Sequence, residues 1–355
     1  MILQRYILRE LVIAFSFTFA VVMAVSLVGT MFQVFRAFEG LGWTLLLQVG
    51  PLAAGYVAPY ALLVASATAT TLVYGRMSAE NEINAMRTSG IPAGRILAPA
   101  VLFGLLLAAA GWALHEHATP AARDGRRRIL RESILHVLKV PPPGIQRFTL
   151  GDYRLSYADY RDGRLLGPIL LRFQADGKLG FEYHAPEGTI LVENGLPVIV
   201  MSRPRGVQFD PDGTEHRFDA SSDIRVALEL EDVRPGDRRL EDLPREKLEE
   251  LRTAGALGKR DRAKVETALH TRRAQALAPF LLVLVSAPIG IFVRRGSRLA
   301  GLGAALPPLL VHFIATFAFQ GMGERGRLDA ALAAWAPDAL LLSVALVLFA
   351  RLLRK

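Results

Sequence analysis

Six long stretches carry almost no charge, and they constrain the fold of this 355-residue chain more than any other feature. They run from Leu11 to Phe35, Leu41 to Gly75, Ile96 to Leu114, Ala274 to Val293, Leu299 to Gly323 and Ala330 to Ala350. A helix needs about 20 apolar residues to cross a bilayer, because lipid offers no partner to an unsatisfied amide. Each stretch meets that length. The pattern predicts six membrane helices, three on either side of a polar middle segment. Within them only His312 and Asp338 can ionise. Asp338 follows Ala336 and Pro337, which suggests a helix start where its carboxylate caps free amides. Leu11 to Phe35 is too long for the apolar core of a signal peptide and reads as the first membrane helix.

A net charge of +9 would suggest a nucleic-acid partner if it were spread over one surface, but it is not. The middle segment holds 54 of the 75 charged residues, 28 basic and 26 acidic, and is close to neutral. The excess sits at span ends: Arg5, Arg9, Arg76, Arg87, Arg95, Arg294, Arg295, Arg298, Arg351, Arg354 and Lys355. If the spans alternate, these positions share one side, whereas the opposite short loops hold only Arg36, Arg325 and Arg327. Short loops rich in Lys and Arg are cytoplasmic. Both termini are therefore expected inside and residues from about 116 to 272 outside, with no nucleic-acid role.

The outside segment has no cysteine, so its own core must stabilise it. A basic helical stretch, Arg123 to Lys139, ends at Pro141, Pro142 and Pro143. From Ile145 to about Leu230 the pattern changes to short apolar or alternating runs: IQRFTL, YRLSY, LLGPILLRF, KLGFEYH, GTILVE, LPVIVM, GVQF and IRVALEL. Asp162-Gly163, Asp176-Gly177, Asn194-Gly195 and Asp212-Gly213 supply turns between them. An all-β sandwich or jelly roll is expected. Two helical stretches follow, Asp242 to Ala256 and Asp261 to Arg273, the second running into span four. The chain thus divides into 1–115, 116–272 and 273–355.

Motifs for catalysis are lacking. Gly258-Lys259-Arg260 does not complete a phosphate-binding loop, so any ATP is bound by another chain. Gly301-x-Gly303 lies inside an apolar span rather than after a strand and does not fit a dinucleotide site. His115, Glu116 and His117 are adjacent on a helix and point in different directions, which favours interfacial polar residues over a metal site. No catalytic residue, metal ligand or cofactor is assigned.

The loop between spans two and three, Arg76 to Pro92, is the most informative cytoplasmic segment. Ser78 can cap a short helix with Glu80 and Glu82 in its first turn, and Gly90 and Pro92 end it. Ile83 and Met86 form a small apolar face beside acidic groups that a partner's Arg or Lys could meet. The residues alone equally allow a solvated loop helix with no partner.

The segment E-N-E-I-N-A-M-R-T-S-G, the opening Arg5-Tyr6-Ile7-x-Arg9-Glu10, and Gly326-Arg327-Leu328-Asp329 followed by Ala334-Trp335-x-Pro337 resemble the LptF/LptG permeases of lipopolysaccharide export. The three-plus-three order of spans around a β domain is similar too, and the opening and R-G-R-L-D segments lean toward the F-type subunit. This resemblance implies a heterodimer of F- and G-type permeases on a cytoplasmic ATPase dimer (LptB), which binds the ATP. It further implies an inner-membrane location, a periplasmic jelly roll that hands lipopolysaccharide to LptC and the downstream bridge, and a coupling helix at 78–90. The family's acidic coupling position falls on Glu82, with Glu80 beside it, Ile83, Met86 and Arg87 on the same helix, and Gly90 as its stop. Its basic residue at the outer end of span one falls on Arg36, and where some relatives carry a second basic residue this chain has Gln33.

By itself Arg36 admits two readings, an arginine meeting a lipid phosphate or one that snorkels and pairs with Glu39. In span five, Gly301, Gly303, Pro307 and Pro308 suit a deformable gate helix, and equally suit plain packing. The resulting expectation is a permease subunit that extracts lipopolysaccharide from the outer leaflet of the inner membrane. The alternatives are a membrane-anchored sensor or assembly scaffold, or an envelope lipid-modifying enzyme.

Overall fold

The computed structural model describes residues 2–37, 43–122, 125, 147–150, 152–174, 178–193, 196–210, 214–228, 243, 245–253, 258–293 and 298–354. Eight α-helices lie among them: α1 (Ile2–Ala37), α2 (Trp43–Ala79), α3 (Glu82–Thr88), α4 (Ala93–Ala113), α5 (Arg245–Thr253), α6 (Lys259–Phe292), α7 (Arg298–Glu324) and α8 (Ala330–Leu353). Six of them, all but α3 and α5, are long and apolar enough to cross a membrane. The fold is that of a six-span protein with a β-rich insertion after the third span. The segment from Arg123 to Lys139 and its three prolines lie largely outside the described residues.

The chain folds as two compact units. The first comprises residues 1–27, 54–122 and 239–355. Helix α6 is its centre, and small residues let neighbours approach it. A Cβ at Gly104 of α4 would sit 2.8 Å from the Phe280 ring, and one at Gly111 would sit 3.0 Å from the Ala276 carbonyl. At the other end of α6, a Cβ on Gly290 would lie 2.9 Å from both the Thr71 carbonyl and Tyr74 Cβ of α2. In lipid, where apolar surface gains nothing by leaving the solvent, close backbone approach of this kind holds helices together. The Tyr74 hydroxyl adds a buried 2.9 Å hydrogen bond to the Ile96 carbonyl of α4.

Helices α1 and α7 contrast with this centre. Only 6 % of the apolar stretch of α1 and 17 % of that of α7 is buried, against 67 % for α6. Phe17, Val25 and Val28 on α1, with Leu310, Ile314 and Phe317 on α7, are exposed.

The connection from α7 to α8 is set by local chemistry. Gly326 takes a φ of +68 after α7, and the Arg327 amide reaches back to the Met322 carbonyl. Asp329 then caps α8, accepting from the Ala331 and Leu332 amides at 2.9 and 3.2 Å. Asp338 is therefore not a cap. The helix it was expected to start already begins at Ala330, Pro337 lies inside it, and Asp338 is buried in its interior. The cap that is used belongs to the aspartate of R-G-R-L-D.

The second unit comprises residues 28–53 and 123–238. Among the described residues, eleven strands form two antiparallel sheets, ordered β1-β2-β5-β6-β9-β10 and β11-β8-β7-β4-β3. They are β1 (Arg147–Leu150), β2 (Tyr153–Ser156), β3 (Asp159–Arg161), β4 (Arg164–Leu166), β5 (Ile169–Phe173), β6 (Leu179–His184), β7 (Glu187–Glu193), β8 (Leu196–Ser202), β9 (Arg205–Phe209), β10 (Glu215–Asp219) and β11 (Ile224–Ala227). Hairpins alternate between the sheets, whose inner faces share one core that includes Phe148, Leu155 and Leu170 from one and Leu165, Ile199 and Met201 from the other. Two strands carry too little apolar alternation to be read in advance, β3 (DYR) and β10 (EHRFD), and Gly167-Pro168 splits LLGPILLRF into two. Asp162-Gly163 forms the β3–β4 turn with φ values of 50 and 79, whereas the other three expected turns fall wholly or partly outside the described residues.

Because Gly290 is where α2 and α6 meet, Gly290→Leu should cost about 1–3 kcal/mol through overpacking. Gly94→Ala, which points into open space, should not destabilise. Thermal unfolding of the detergent-solubilised protein, followed by circular dichroism, checks both: a melting temperature unchanged in Gly290→Leu would refute the close crossing.

Candidate functional site

Helix α3 follows α2 within the first unit, and several residues of the E-N-E-I-N-A-M-R-T-S-G segment have a local task. Asn81 takes a left-handed conformation, φ 58, which asparagine tolerates better than most residues. Its side-chain oxygen accepts from Asn84 Nδ2 at 3.0 Å, fixing the turn between α2 and α3. Ile83 is buried in a cluster with Ile7 and Leu11 of α1 and Tyr74 and Met77 of α2, and anchors α3 to its own chain. The stop is a Schellman turn. Gly90 has φ +82, its amide bonds the Arg87 carbonyl at 3.0 Å, and the Ile91 amide bonds the Met86 carbonyl at 3.0 Å. Met86 and Ile91 both pack on that same cluster, as the hydrophobic contact of such a turn requires.

Two expectations need correction here. The helix spans Glu82–Thr88, shorter than 78–90, and Ser78 does not cap it. Ser78 belongs to the last turn of α2, and its hydroxyl donates at 2.9 Å to the Ile291 carbonyl, one of the carbonyls left free at the end of α6. The close crossing at Gly290 brings that carbonyl within reach. The apolar face of α3 is likewise turned inward: Ile83 is buried and Met86 half-buried, leaving Glu80, Ala85, Thr88 and Ser89 on the exposed side.

The acidic groups are held from α1. Tyr6 Oη donates toward Glu82, 3.4 Å from each carboxylate oxygen. One turn on, Glu10 forms a 2.7 Å ion pair with Arg76, which also reaches Glu80 at 3.4 Å. Tyr6 and Glu10 are four residues apart on one face of α1, as Arg76 and Glu80 are at the end of α2, so two helical i,i+4 faces meet. These pairs are part-exposed, and each contributes about 0–1 kcal/mol, enough to orient the side chains more than to stabilise the fold. The spacing of Tyr6 and Glu10 was visible in the sequence, but its partners lie some seventy residues away.

The remaining expected positions are scattered. Gln33 is exposed on α1, and Arg36 lies near the end of that helix with its side chain outside the described ones. Pro307 and Pro308 lie within an unbroken α7, and a Cβ at Gly303 would meet nothing within 4 Å, so in this chain Gly303 makes no close contact. The side-chain position of Gly301 lies outside the described ones. His115, Glu116 and His117 form a π-helical turn, Leu114–Ala118, where Glu116 meets Arg245 of α5 at 3.6 Å and His117 packs edge-on against Trp112. Arg245 also hydrogen-bonds Glu249, holding that carboxyl below its ordinary range.

The family model described as lipopolysaccharide export system permease LptF/LptG matches residues 5–351, essentially the whole chain. The chain belongs to the LptF/LptG family. No match was found among curated proteins. Family membership and six apolar helices make it a multi-pass inner-membrane permease of lipopolysaccharide export, working within a transporter that has partner subunits. The three segments that carried the resemblance now have structural roles. R-Y-I-x-R-E supplies Tyr6 and Glu10, E-N-E-I-N-A-M-R-T-S-G builds α3, and R-G-R-L-D joins α7 to α8.

The left-handed Gly90 gives a direct test. Gly90→Val should cost roughly 1–2 kcal/mol and release the Schellman turn, while Gly90→Asn should be milder. Amide hydrogen exchange of the peptide covering 82–91 should speed about tenfold in the valine variant; unchanged exchange would rule out the turn as the lock on α3.

Proposed function

We propose that the chain is one of two permease subunits of an ABC transporter that draws lipopolysaccharide sideways from the outer leaflet of the inner membrane. The observation that carries this reading is α3, a short helix held rigidly to its own chain while Glu80 and Glu82 are oriented along its edge by Arg76 and Tyr6. Such a helix suits contact with basic groups of a cytoplasmic ATPase dimer of the LptB type, which binds and hydrolyses the ATP. Tyr6 joins that contact to α1, so movement of the ATPase reaches a helix whose apolar flank has few partners in this chain. In this reading α1 and α7 face the second permease and enclose the acyl chains between the two subunits. Both termini and α3 lie in the cytoplasm and the β-rich insertion in the periplasm, as the clustering of arginine at alternate span ends supports. Arg36, with Gln33 three residues before it, meets phosphate at the outer end of α1, and the jelly roll passes the lipid to LptC and the bridge beyond it.

Purification with its neighbours should yield a stoichiometric ATPase, and Glu82→Ala should lose a charge-assisted bond of roughly 1.5–3 kcal/mol and with it most of the bound ATPase, while membrane insertion is kept. Normal ATPase association and lipid release in that variant would remove Glu82 from the mechanism.

Lipid capture is tested separately at position 36. Arg36→Glu should damage extraction far more than Arg36→Gln, because repulsion replaces attraction near a dehydrated interface, and Arg36→Lys should retain part of it. ATP-dependent release of lipopolysaccharide together with photo-crosslinking from position 36 reads this out. Equal release by the Glu and Gln variants with no crosslink would leave Arg36 without a phosphate role.

A further inference from the structure

Helix α7 carries a polar stripe inside an otherwise apolar span. His312, Thr316, Gln320 and Glu324 recur every four residues and so line up along one side of the helix. At its upper end Gln320 Nε2 donates to Glu324 at 2.8 Å. Below, His312, Thr316 and Gln320 border a cavity of about 40 Å³ shared with Tyr60 of α2, His115 of the π-helical turn and Gln275 of α6. A volume of that size takes about three or four water-sized molecules at about 10–15 Å³ each.

The stripe ends at His312, which faces Asp338, and these are the only histidine and the only acidic residue of the six apolar stretches. His312 Nδ1 of α7 stands 4.0 Å from Asp338 Oδ1 of α8, with side chains 3 % and 5 % exposed. His312 Nδ1, Asp338 Oδ2 and Thr316 Oγ1 have no hydrogen-bond partner. His312 lies twelve residues from Glu324, about 18 Å along the helix at 1.5 Å per residue, past the middle of a hydrocarbon layer of about 30 Å. Glu324 lies at the end of the bundle where the chain re-enters it through α6, since Gly326, two residues further on, packs near Ala263 in the first turns of α6.

A lone charge at that depth is costly, and two groups facing each other across 4.0 Å avoid it by sharing. With one dissociable proton between them the pair is neutral overall, whether written as a carboxylic acid facing an imidazole or a carboxylate facing an imidazolium. Removing the proton leaves a net negative charge in lipid, and adding a second leaves a net positive one. Among the described residues lining the cavity, the other titratable groups are Tyr60 and His115, and α6 contributes the uncharged Gln275.

We propose that His312 and Asp338 form a proton-binding site in the middle of the membrane, reached from the insertion side along the Thr316–Gln320–Glu324 stripe. The ligand is a proton delivered by water, and its uptake sets the contact between α7 and α8. The proposal requires only that these helices span the membrane, so it stands or falls separately from the roles given to Glu82 and Arg36.

Infrared difference spectroscopy of the full-length protein, copurified with its partners and held in phospholipid nanodiscs, tests it as pH is stepped. A carboxylic-acid C=O band should titrate, disappear in Asp338→Asn and move its midpoint by about one pH unit or more in His312→Gln. Thr316→Val combined with Gln320→Leu should keep the band while slowing its response to deuterium oxide. If Asp338→Asn does not fold, ¹³C labelling of aspartate in the wild-type protein assigns the band by its isotope shift. Absence of a titrating aspartic-acid band, its persistence in Asp338→Asn, a midpoint indifferent to His312→Gln, or deuterium exchange unaffected by closing the stripe would each overturn the site.

Discussion

Close approach of backbones to α6 is the interaction on which the helical unit rests. Burial from water does not drive helices together within lipid, so glycine and alanine at the crossings replace it with dense contact. Gly104 and Gly111 admit α6 against α4, and Gly290 admits α2 to its other end. Ser286, Ala287 and Ala278 are fully buried on the same helix. Widening any crossing would separate backbone from backbone, and the polar contacts that depend on that spacing would go with it.

The bond from Ser78 to the Ile291 carbonyl is one such contact. It ties the last turn of α2 to the end of α6, and α3 begins four residues later. The position of the acidic helix is therefore fixed from two directions: from α6 through Ser78, and from α1 through Ile7, Leu11 and the Tyr6 hydroxyl. A seven-residue helix cannot hold itself in water, since nucleation is unfavourable and few bonds repay it. Its rigidity is borrowed from three longer helices.

What could be read beforehand follows the range of the forces involved. Spans, the Asp162-Gly163 turn and the Gly90 stop depend on composition or on residues a few positions apart, and each is present as expected. Ser78 and Asp338 each suggest a local helix cap in the sequence, while their actual neighbours, Ile291 and His312, lie far along the chain or on another helix. The stripe on α7 is a different case. Its four-residue spacing was in the sequence, hidden among Phe313, Phe317 and Phe319, whose bulk dominates the average hydropathy of the span.

The order in which the chain is made bears on that central helix. The first unit is assembled from three separated segments, and Ala276 follows its partner Gly111 by 165 residues. At synthesis rates of about 5–20 residues per second, roughly 8–33 s pass before α6 reaches the membrane. During that interval α2 and α4 carry grooves shaped for a helix that does not yet exist, and the sandwich has the last of its described strands, ending at Ala227, before the bundle has its core. The β unit can thus close while the first three spans wait half-assembled in lipid, where a membrane chaperone or a neighbouring subunit can occupy the vacant grooves.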